Sequence, residues 1–237
     1  QMHQGSLNVI FDAQARLQKT QEALATGKKV NAPSDDPVAS AQITAVRAEL
    51  NRLEVMQKNV NTAYDELPMT EPRLPPSEDL ISRAREIAVQ GSNSVLGPED
   101  RAILATEIEA IREQLLKLAN TQSPTGDYIF AGHATDTPAF AEVDGVIEFQ
   151  GDRGERVLNI AAGVTINVRH SGIAVFGDGD TDAFAVLKDL SDSLRADDDV
   201  GIQQSITQID ISQQRMLEGI ADLGSRMGLV EDQQLLN

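Results

Sequence analysis

The chain has 237 residues, a formal net charge of −17, no cysteine and only 3% aromatic residues. The acidic excess argues against a nucleic-acid partner, because affinity for phosphates comes largely from lysine and arginine. The lack of cysteine excludes disulfides, thiol nucleophiles and cysteine-ligated metals. No apolar run approaches the roughly 20 residues of a membrane span, so no membrane partner is expected.

The first predicted helix ends near Gly27. This glycine suits the left-handed position after a last helical turn, and Lys28 and Lys29 lie by the negative end of the helix dipole. The stretch 1–11 lacks the basic and long apolar regions of a cleaved signal peptide. Because position 1 is not methionine and the apolar pattern still runs at Asn237, we expect the natural chain to be longer at both ends.

The segment NAPSDDP (31–37) predicts a connection between two helices. Pro33 pushes Ala32 into an extended conformation. Asp36 is a suitable N-cap, and Pro37 is a suitable first residue of the next helix. The prolines and acids are therefore predicted to shape the connection between the two helices and to begin the second one.

A catalytic or metal-binding carboxylate pair is the alternative interpretation of Asp35 and Asp36. It is disfavoured because the only three histidines, His3, His133 and His170, are scattered along the chain. No catalytic residue, metal ligand or cofactor is predicted. We hypothesise instead that the restricted backbone of this loop presents a fixed outer face to a neighbouring subunit. The predicted assembly motif comprises Asn31, Pro33, Ser34, Asp35, Asp36 and Pro37.

Three apolar seams predict long helices, because spacings of three and four in alternation place one stripe of each helix in a bundle or coiled coil. The first seam comprises Ile43, Val46, Leu50, Leu53, Gln57, Val60, Tyr64 and Leu67. The second comprises Leu104, Ile108, Ile111, Leu115 and Leu118. The third comprises Ile202, Ile206, Ile209, Gln213, Met216, Ile220, Leu223, Met227 and Val230. We predict that these seams form a bundle core; a self-assembly surface is the alternative.

Prolines interrupt the helical pattern between the first two seams. The segment ELPMTEPRLPPSEDL (66–80) contains four of them, Pro68, Pro72, Pro75 and Pro76. Since proline inside a helix costs roughly 3 kcal/mol, a break is predicted here, with Ser77 as the N-cap of the helix that follows. The next helix is predicted to begin at Pro98, with acidic residues in its first turn.

The middle of the chain changes character, and residues 128–177 predict a small β unit. It opens with the aromatic and β-branched run DYIFAG (127–132). Asp144-Gly145 lies between apolar runs and predicts a hairpin with a type I′ turn. Val164, Ile166 and Val168 then alternate with polar residues, as strand residues do.

The segment DGDTDAFAVLKD (178–189) resembles a calcium loop in the placing of its aspartates, Asp178, Asp180, Asp182 and Asp189. Calcium loops of this type need glycine at the sixth place and usually glutamate at the twelfth. Here these places hold Ala183 and Asp189. The preferred interpretation is a polar turn capped by Asp180, Thr181 or Asp182. The helix after it would turn Phe184, Leu187 and Leu190 inward; weak calcium binding is the alternative.

The combined patterns predict an α+β chain that is mainly α: an elongated rod of long antiparallel helices with a small inserted β subdomain. The helical rod is assigned to residues 1–127 and 178–237, and the β subdomain to residues 128–177.

Three motifs resemble the bacterial flagellin superfamily, and within it the hook-associated protein 3 family of hook–filament junction proteins. They are TGKKVNAPSDDPVASAQ (26–42), GDYIFAGHATDTPAF (126–140) and VFGDGDTDAFAVLKDLSDSL (175–194). The first carries proline on both sides of SDD, as the junction proteins do. The second resembles the lead-in to the β domain of the family, with Tyr128, Phe130, Gly132, Pro138 and Phe140 in place.

The resemblance implies a structural building block with no enzymatic activity and no cofactor. Proteins of this family are exported unfolded through the flagellar type III channel, without a cleaved signal peptide and with the help of an export chaperone. They assemble outside the cell as a ring between hook-associated protein 1 and the flagellin filament. The resemblance also implies a D1-like helical rod with remnants of the terminal D0 helices, and a D2-like β subdomain.

Three other functions are weighed against this one. A flagellin is the nearest, and the two prolines around SDD argue against it. A coiled-coil signalling module would need a membrane span, which the sequence lacks. An enzyme would need converging acid, base or nucleophile groups, and the sequence offers no such set.

Overall fold

The computed structural model describes the backbone of residues 2–169 and 171–236, and the side chains of residues 9–169, 171–179 and 181–236. The chain divides into two compact units, an N-terminal unit of residues 1–55 and a C-terminal unit of residues 56–237. The fold is mainly α with a small β region, as predicted. Among the described residues, no helix combines the length and apolarity needed to cross a bilayer.

The N-terminal unit contains helix α1 (Met2–Thr26) and the first part of helix α2 (Pro37–Glu66). Gly27 follows α1 with a φ of 66°, in the left-handed region, as predicted. α2 begins at Pro37, also as predicted. No residue between 9 and 55 is buried, so the unit consists of helices without a core of their own.

The first predicted seam is buried at only one of its ends. In the C-terminal unit, Val60 and Leu67 are buried. In the N-terminal unit, the four seam residues from Ile43 to Leu53 are between 37% and 59% exposed. The prediction of a bundle core is wrong for these four residues, because nothing in the N-terminal unit covers them. They are Ile43, Val46, Leu50 and Leu53.

The described residues of the C-terminal unit add five helices: α3 (Leu74–Gly91), α4 (Pro98–Ala119), α5 (Gly172–Phe176), α6 (Ala183–Arg195) and α7 (Asp199–Leu236). Helix α4 packs on α6, and α7 packs on both α3 and α6. The seams of α4 and α7 form much of the core, which confirms their predicted role. Buried members are Leu104, Ile108, Ile111 and Leu115 of α4, with Ile202, Ile209, Met216, Leu223 and Val230 of α7.

The predicted proline break is present. Helix α2 ends at Glu66, two 3₁₀ turns follow (Leu67–Met69 and Glu71–Arg73), and α3 begins at Leu74. The prediction that Ser77 caps α3 is wrong, since its hydroxyl is buried within the helix and donates to Arg73 O at 2.8 Å. Prolines fit a first turn, where no intrahelical N–H is required, and therefore the helix starts before them.

In the part of the chain that the structure describes, four strands form two separate antiparallel hairpins. Strand β1 (Phe140–Val143) pairs with β2 (Val146–Phe149), and β3 (Val157–Ala161) pairs with β4 (Val164–Asn167). The turn of the first hairpin has Asp144 at φ 51° and Gly145 at φ 82°, which confirms the prediction of positive φ at both positions.

The predicted β unit has no named strand before Phe140. Residues 128–139 form turns, with isolated bridges from Gln122 to Tyr128 and from Ala131 to Ser171. Turn-forming residues in AGHATDTP (131–138) explain the difference. The limits of the β subdomain at 128 and 177 stay a prediction.

Aromatic side chains hold the β region to the helices of the C-terminal unit. Phe130, Phe140, Phe176 and Phe184 are each no more than 1% exposed. Their paired ring centroids lie 5.0–5.9 Å apart, in edge-on, tilted and stacked arrangements. These rings come from the lead-in to the hairpins and from the return to the helices, so one cluster joins both ends of the β region.

Candidate assembly surface

Two apolar stripes of the N-terminal unit are exposed. On α1, Ile10, Leu17 and Leu24 recur every seven residues and are 53%, 60% and 86% exposed. We call these residues the α1 stripe. The exposed seam residues Ile43, Val46, Leu50 and Leu53 form the α2 stripe. Such spacing is typical of a helix that packs against a partner helix, and contiguous exposed apolar surface is typical of interaction sites.

The charges of the two units differ. Residues 1–55 contain six acidic and six basic residues, so the whole net charge of −17 lies in residues 56–237. Like charges repel when copies of one chain pack side by side. The N-terminal unit is therefore the part of the chain that can approach another copy without this cost.

The loop between α1 and α2 is closed by Asp35. Its Oδ2 accepts hydrogen bonds from the backbone N–H of Ala32 at 3.0 Å and of Asn31 at 3.2 Å. Its Oδ1 lies 3.1 Å from Lys19 Nζ. The N–H of Ala32 is the largest cause of a lowered pKa at Asp35, followed by the Lys19 ammonium. The ionised carboxylate of Asp35 thus stabilises the loop fully at pH values above its ordinary pKa. This stabilisation is lost as the pH falls through the lowered pKa.

Other residues of the same loop are exposed to solvent and form its outer face. Ser34 is exposed, and its hydroxyl has no hydrogen-bond partner among the residues that the structure describes. Pro33 and Pro37 are exposed as well, and Asn31 Oδ1 accepts from Thr26 Oγ1 at 3.0 Å. Asp35 is used inside the loop, whereas Ser34 is free for a contact. The contact role of the motif stays a prediction.

Asp36 caps α2, as predicted. Its Oδ1 accepts hydrogen bonds from the N–H of Ala39 at 2.9 Å and of Val38 at 3.1 Å. These are N–H groups of the first turn, which have no intrahelical acceptor.

Replacement Asp36→Ala is expected to weaken the start of α2 by about 1 kcal/mol, because two N–H groups lose their acceptor. Hydrogen exchange of the Val38 and Ala39 amides should become about fivefold faster or more. Ser34→Ala is the matched control and should leave both exchange rates unchanged. Equal rates in Asp36→Ala and the unaltered chain would show that the cap contributes nothing.

The second set of predicted residues, in the lead-in to the hairpins, lies in the C-terminal unit. Phe130 and Phe140 belong to the aromatic cluster, Tyr128 is half-buried, and Pro138 is exposed. Gly132 is buried with a φ of 69°. These residues mainly build the fold, and only Tyr128 and Pro138 offer surface to a partner.

The sequence analysis missed Asp152, which holds the lead-in segment in place. Its Oδ1 accepts from the N–H of His133 and of Gly154, each at 2.8 Å. The N–H of His133 is the largest cause of the lowered pKa of Asp152. An aspartate between Gly151 and Gly154 is a sequence signal for such a turn, although its partner 19 residues away is not readable from it.

The predicted polar turn before α6 is confirmed. Asp182 is 3% exposed, and its Oδ1 caps α6 by accepting from the N–H of Ala185 at 2.6 Å. Burial raises the pKa of Asp182, against the lowering effect of this hydrogen bond. Asp178 pairs with Arg153, and the side chain of Asp180, like residue His170, lies outside the described part of the chain. The inward-facing residues Phe184, Leu187 and Leu190 are fully buried.

Calcium is expected to show no saturable binding here tighter than about millimolar, the weak end for such loops. The reason is that Asp182 is taken by the helix cap and Asp178 by Arg153. Calorimetric titration of the whole chain with calcium chloride tests this. A micromolar site that Asp178→Ala abolishes would contradict it.

Comparison with known proteins gives the family. The family description "Bacterial flagellin N-terminal helical region" matches residues 1–135, more than half of the chain. The chain belongs to the bacterial flagellin family. Within this family it is 34% identical over 175 residues to the flagellar hook-associated protein 3 of Escherichia coli, a match that covers 74% of this chain and 55% of that relative. The chain thus spans about half the length of that relative.

This flagellin-family chain is also similar to a flagellin and to a solved structure. The flagellin of Listeria monocytogenes is 30% identical over a shorter stretch of 105 residues, 44% of this chain and 37% of that protein. The crystal structure of the flagellar junction protein FlgL from Legionella pneumophila has the same fold, with a TM-score of 0.68. That similarity is at 20% identity and covers 85% of this chain and 97% of the other.

Proposed function

We propose that this chain is a structural subunit of the bacterial flagellum and acts at the junction between hook and filament. In this role it forms a ring outside the cell that connects hook-associated protein 1 to flagellin. It reaches that place by type III export, bound beforehand by an export chaperone, and performs no enzymatic reaction. Support comes from the 34% identity to hook-associated protein 3 over 74% of the chain.

The observation that carries the proposal is the absence of a buried residue between 9 and 55, among side chains that the structure describes. A unit with exposed apolar stripes and no net charge fits a subunit that completes its packing in a polymer. Burial of one leucine side chain stabilises a contact by roughly 1.5–3 kcal/mol. Several such residues per helix supply the affinity that a ring of subunits needs.

Electron microscopy of flagella from a strain that lacks this chain tests the proposal. We expect intact hooks without filaments, with flagellin released into the medium. A strain with normal filaments would rule out the junction role. Loss of the filament protein itself, with no flagellin left to release, would instead support the rival reading as a flagellin, which rests on the shorter match to the Listeria monocytogenes protein.

Complementation with altered chains tests the α2 stripe. The double change Leu50→Ser with Leu53→Ser removes two apolar side chains that are 53% and 49% exposed. It should lower the association constant about a hundredfold or more, from about 3 kcal/mol of lost burial, and leave hooks bare. The control Val143→Ser, at a residue 42% exposed in the C-terminal unit, should restore filaments.

Unfolding of the purified variants separates assembly from folding. Both should unfold at the same urea concentration as the unaltered chain, because neither changes a buried residue. The loop is tested in the same strain, where Ser34→Ala should weaken filament attachment if its outer face meets a neighbour. Normal filaments on Leu50→Ser with Leu53→Ser would show that the α2 stripe is not an assembly surface.

A further inference from the structure

A cleft in the C-terminal unit opens where the chain leaves α2 at the proline break. Its volume is about 320 Å³, within the range of small-molecule sites. Its walls include Glu66 at the end of α2, Met69 from the break, Tyr128 from the lead-in segment, and Arg156 and Arg169, which precede β3 and follow β4. The flagellar role proposed above does not use this cleft.

The charged groups of the cleft are two guanidinium groups and two carboxylates, and both guanidinium groups lie near Glu66. Arg156 Nη1 donates to Glu66 Oε1. Arg169 Nε lies 4.0 Å from Glu66 Oε2, and Arg169 Nη1 donates to Gly132 O at 3.0 Å. A second carboxylate in the lining, that of Asp127, accepts from Thr125 Oγ1 at 2.9 Å. Neither of these two carboxylates binds both guanidinium groups at hydrogen-bond distance.

The ion pair is open to solutes. The side chains of Arg156, Arg169 and Glu66 are 40%, 24% and 24% exposed. Ion pairs that solvent reaches contribute only modest stability, so an incoming anion can compete with Glu66 for the guanidinium groups. A guanidinium presents several N–H groups in a fixed fork, which matches the two oxygens of a carboxylate.

The rest of the cleft combines apolar side chains with the hydroxyl groups of Thr70, Ser123 and Thr125. Met69 is 37% exposed, and Tyr128 and Ile129 are half-buried beside it in the lining. Val168 closes the inner end with 2% exposure. Methionine adapts its shape to a bound group, and its sulfur makes favourable contacts with aromatic rings.

We propose that this cleft binds a carboxylate carried on an apolar or aromatic group. The carboxylate replaces Glu66 as the partner of Arg156, and the apolar group lies against Met69 and Tyr128. Glu66 keeps the guanidinium groups paired while the cleft is empty. The chemistry is that of a small organic acid or of an acidic side chain flanked by apolar residues on a neighbouring protein.

Phenylacetate and its uncharged amide, phenylacetamide, are the first probes, titrated into the full chain and followed by calorimetry or NMR. We expect saturable binding of phenylacetate at about millimolar affinity, as its size allows, and at least tenfold weaker binding of the amide. Arg156→Gln should weaken phenylacetate binding at least tenfold. Glu66→Gln, which removes the internal competitor, should strengthen it at least threefold.

Arg153→Gln is the matched control, because Arg153 is 76% exposed and pairs with Asp178 outside the cleft lining. It should leave binding unchanged. Equal binding of phenylacetate and its amide, no binding of either, or unchanged binding in Arg156→Gln would each overturn the proposal. If Arg156→Gln fails to fold by circular dichroism, the Glu66→Gln and amide measurements decide alone.

Two peptides distinguish the sources of the carboxylate. One carries a central glutamate between leucines, and the other carries glutamine at that place. Binding of the glutamate peptide at least tenfold tighter than that of phenylacetate would assign the cleft to a segment of a neighbouring protein. A peptide that binds no tighter than phenylacetate would assign it to a small acid. A glutamine peptide that binds as well as the glutamate peptide would overturn the proposal.

Discussion

Replacing Phe140 with alanine is expected to lower the free energy of unfolding of the C-terminal unit by about 3–5 kcal/mol. Phe140 is 1% exposed, and its ring centroid lies 5.0 Å from that of Phe184, 5.3 Å from Phe149 and 5.6 Å from Phe176. Alanine removes these ring contacts and leaves a cavity at the point where the lead-in and return segments meet. Urea unfolding followed by circular dichroism measures the loss.

Phe11→Ala is the matched control, since Phe11 is 63% exposed in the N-terminal unit. Its effect on the unfolding free energy of the C-terminal unit should stay within about 0.5 kcal/mol, as for other surface changes. If both replacements cost the same, the aromatic cluster is not the main tie between hairpins and helices. A cost below about 1 kcal/mol for Phe140→Ala would lead to the same conclusion.

Gly132→Ala is expected to cost about 2–5 kcal/mol, from left-handed strain together with overpacking. Gly132 has a φ of 69°, and a Cβ placed on it would lie 2.3 Å from Asp152 Oδ1 and 2.4 Å from Asp152 O. The second of these is a backbone atom that cannot move without displacing the chain. The change would therefore also separate Asp152 from the N–H of His133 and of Gly154.

Gly145→Ala isolates the strain from the collision. Gly145 has a φ of 82°, and no atom lies within 4 Å of a Cβ placed there. It should cost only about 1–2 kcal/mol, the penalty of the left-handed conformation. Thermal unfolding of the two variants measures the difference. If Gly145→Ala destabilises the chain as much as Gly132→Ala, the close approach of Asp152 is not what requires glycine at position 132.

Local signals in the sequence predicted the parts of the fold that depend on a few neighbouring residues. Gly27, Asp36 and the Asp144-Gly145 turn behave as predicted, because each is set by backbone sterics or by a cap within four residues. The prediction that Ser77 caps α3 was wrong for a reason that is also local. Pro75 and Pro76 fit the first turn of α3, so the helix begins before Ser77 and needs no cap from it.

Contacts between distant segments could not be predicted in this way. An apolar stripe shows which face of a helix needs cover, but not what covers it, so the exposed and buried parts of the α2 seam look alike in sequence. The cleft beside the proline break depends on Arg156 and Glu66, which are 90 residues apart. The role of Asp152 depends on a partner 19 residues away. Such pairings follow from packing of the whole unit.

The lack of buried side chains between residues 9 and 55 has a consequence for how order is gained. An isolated helix in water gains little from its backbone hydrogen bonds after the entropy of fixing each residue, roughly 1–2 kcal/mol, is subtracted. We therefore expect the 25 residues of α1 to exchange between helix and coil until apolar surface from another chain covers them. We expect folding of this segment and its binding to another subunit to form a single cooperative step.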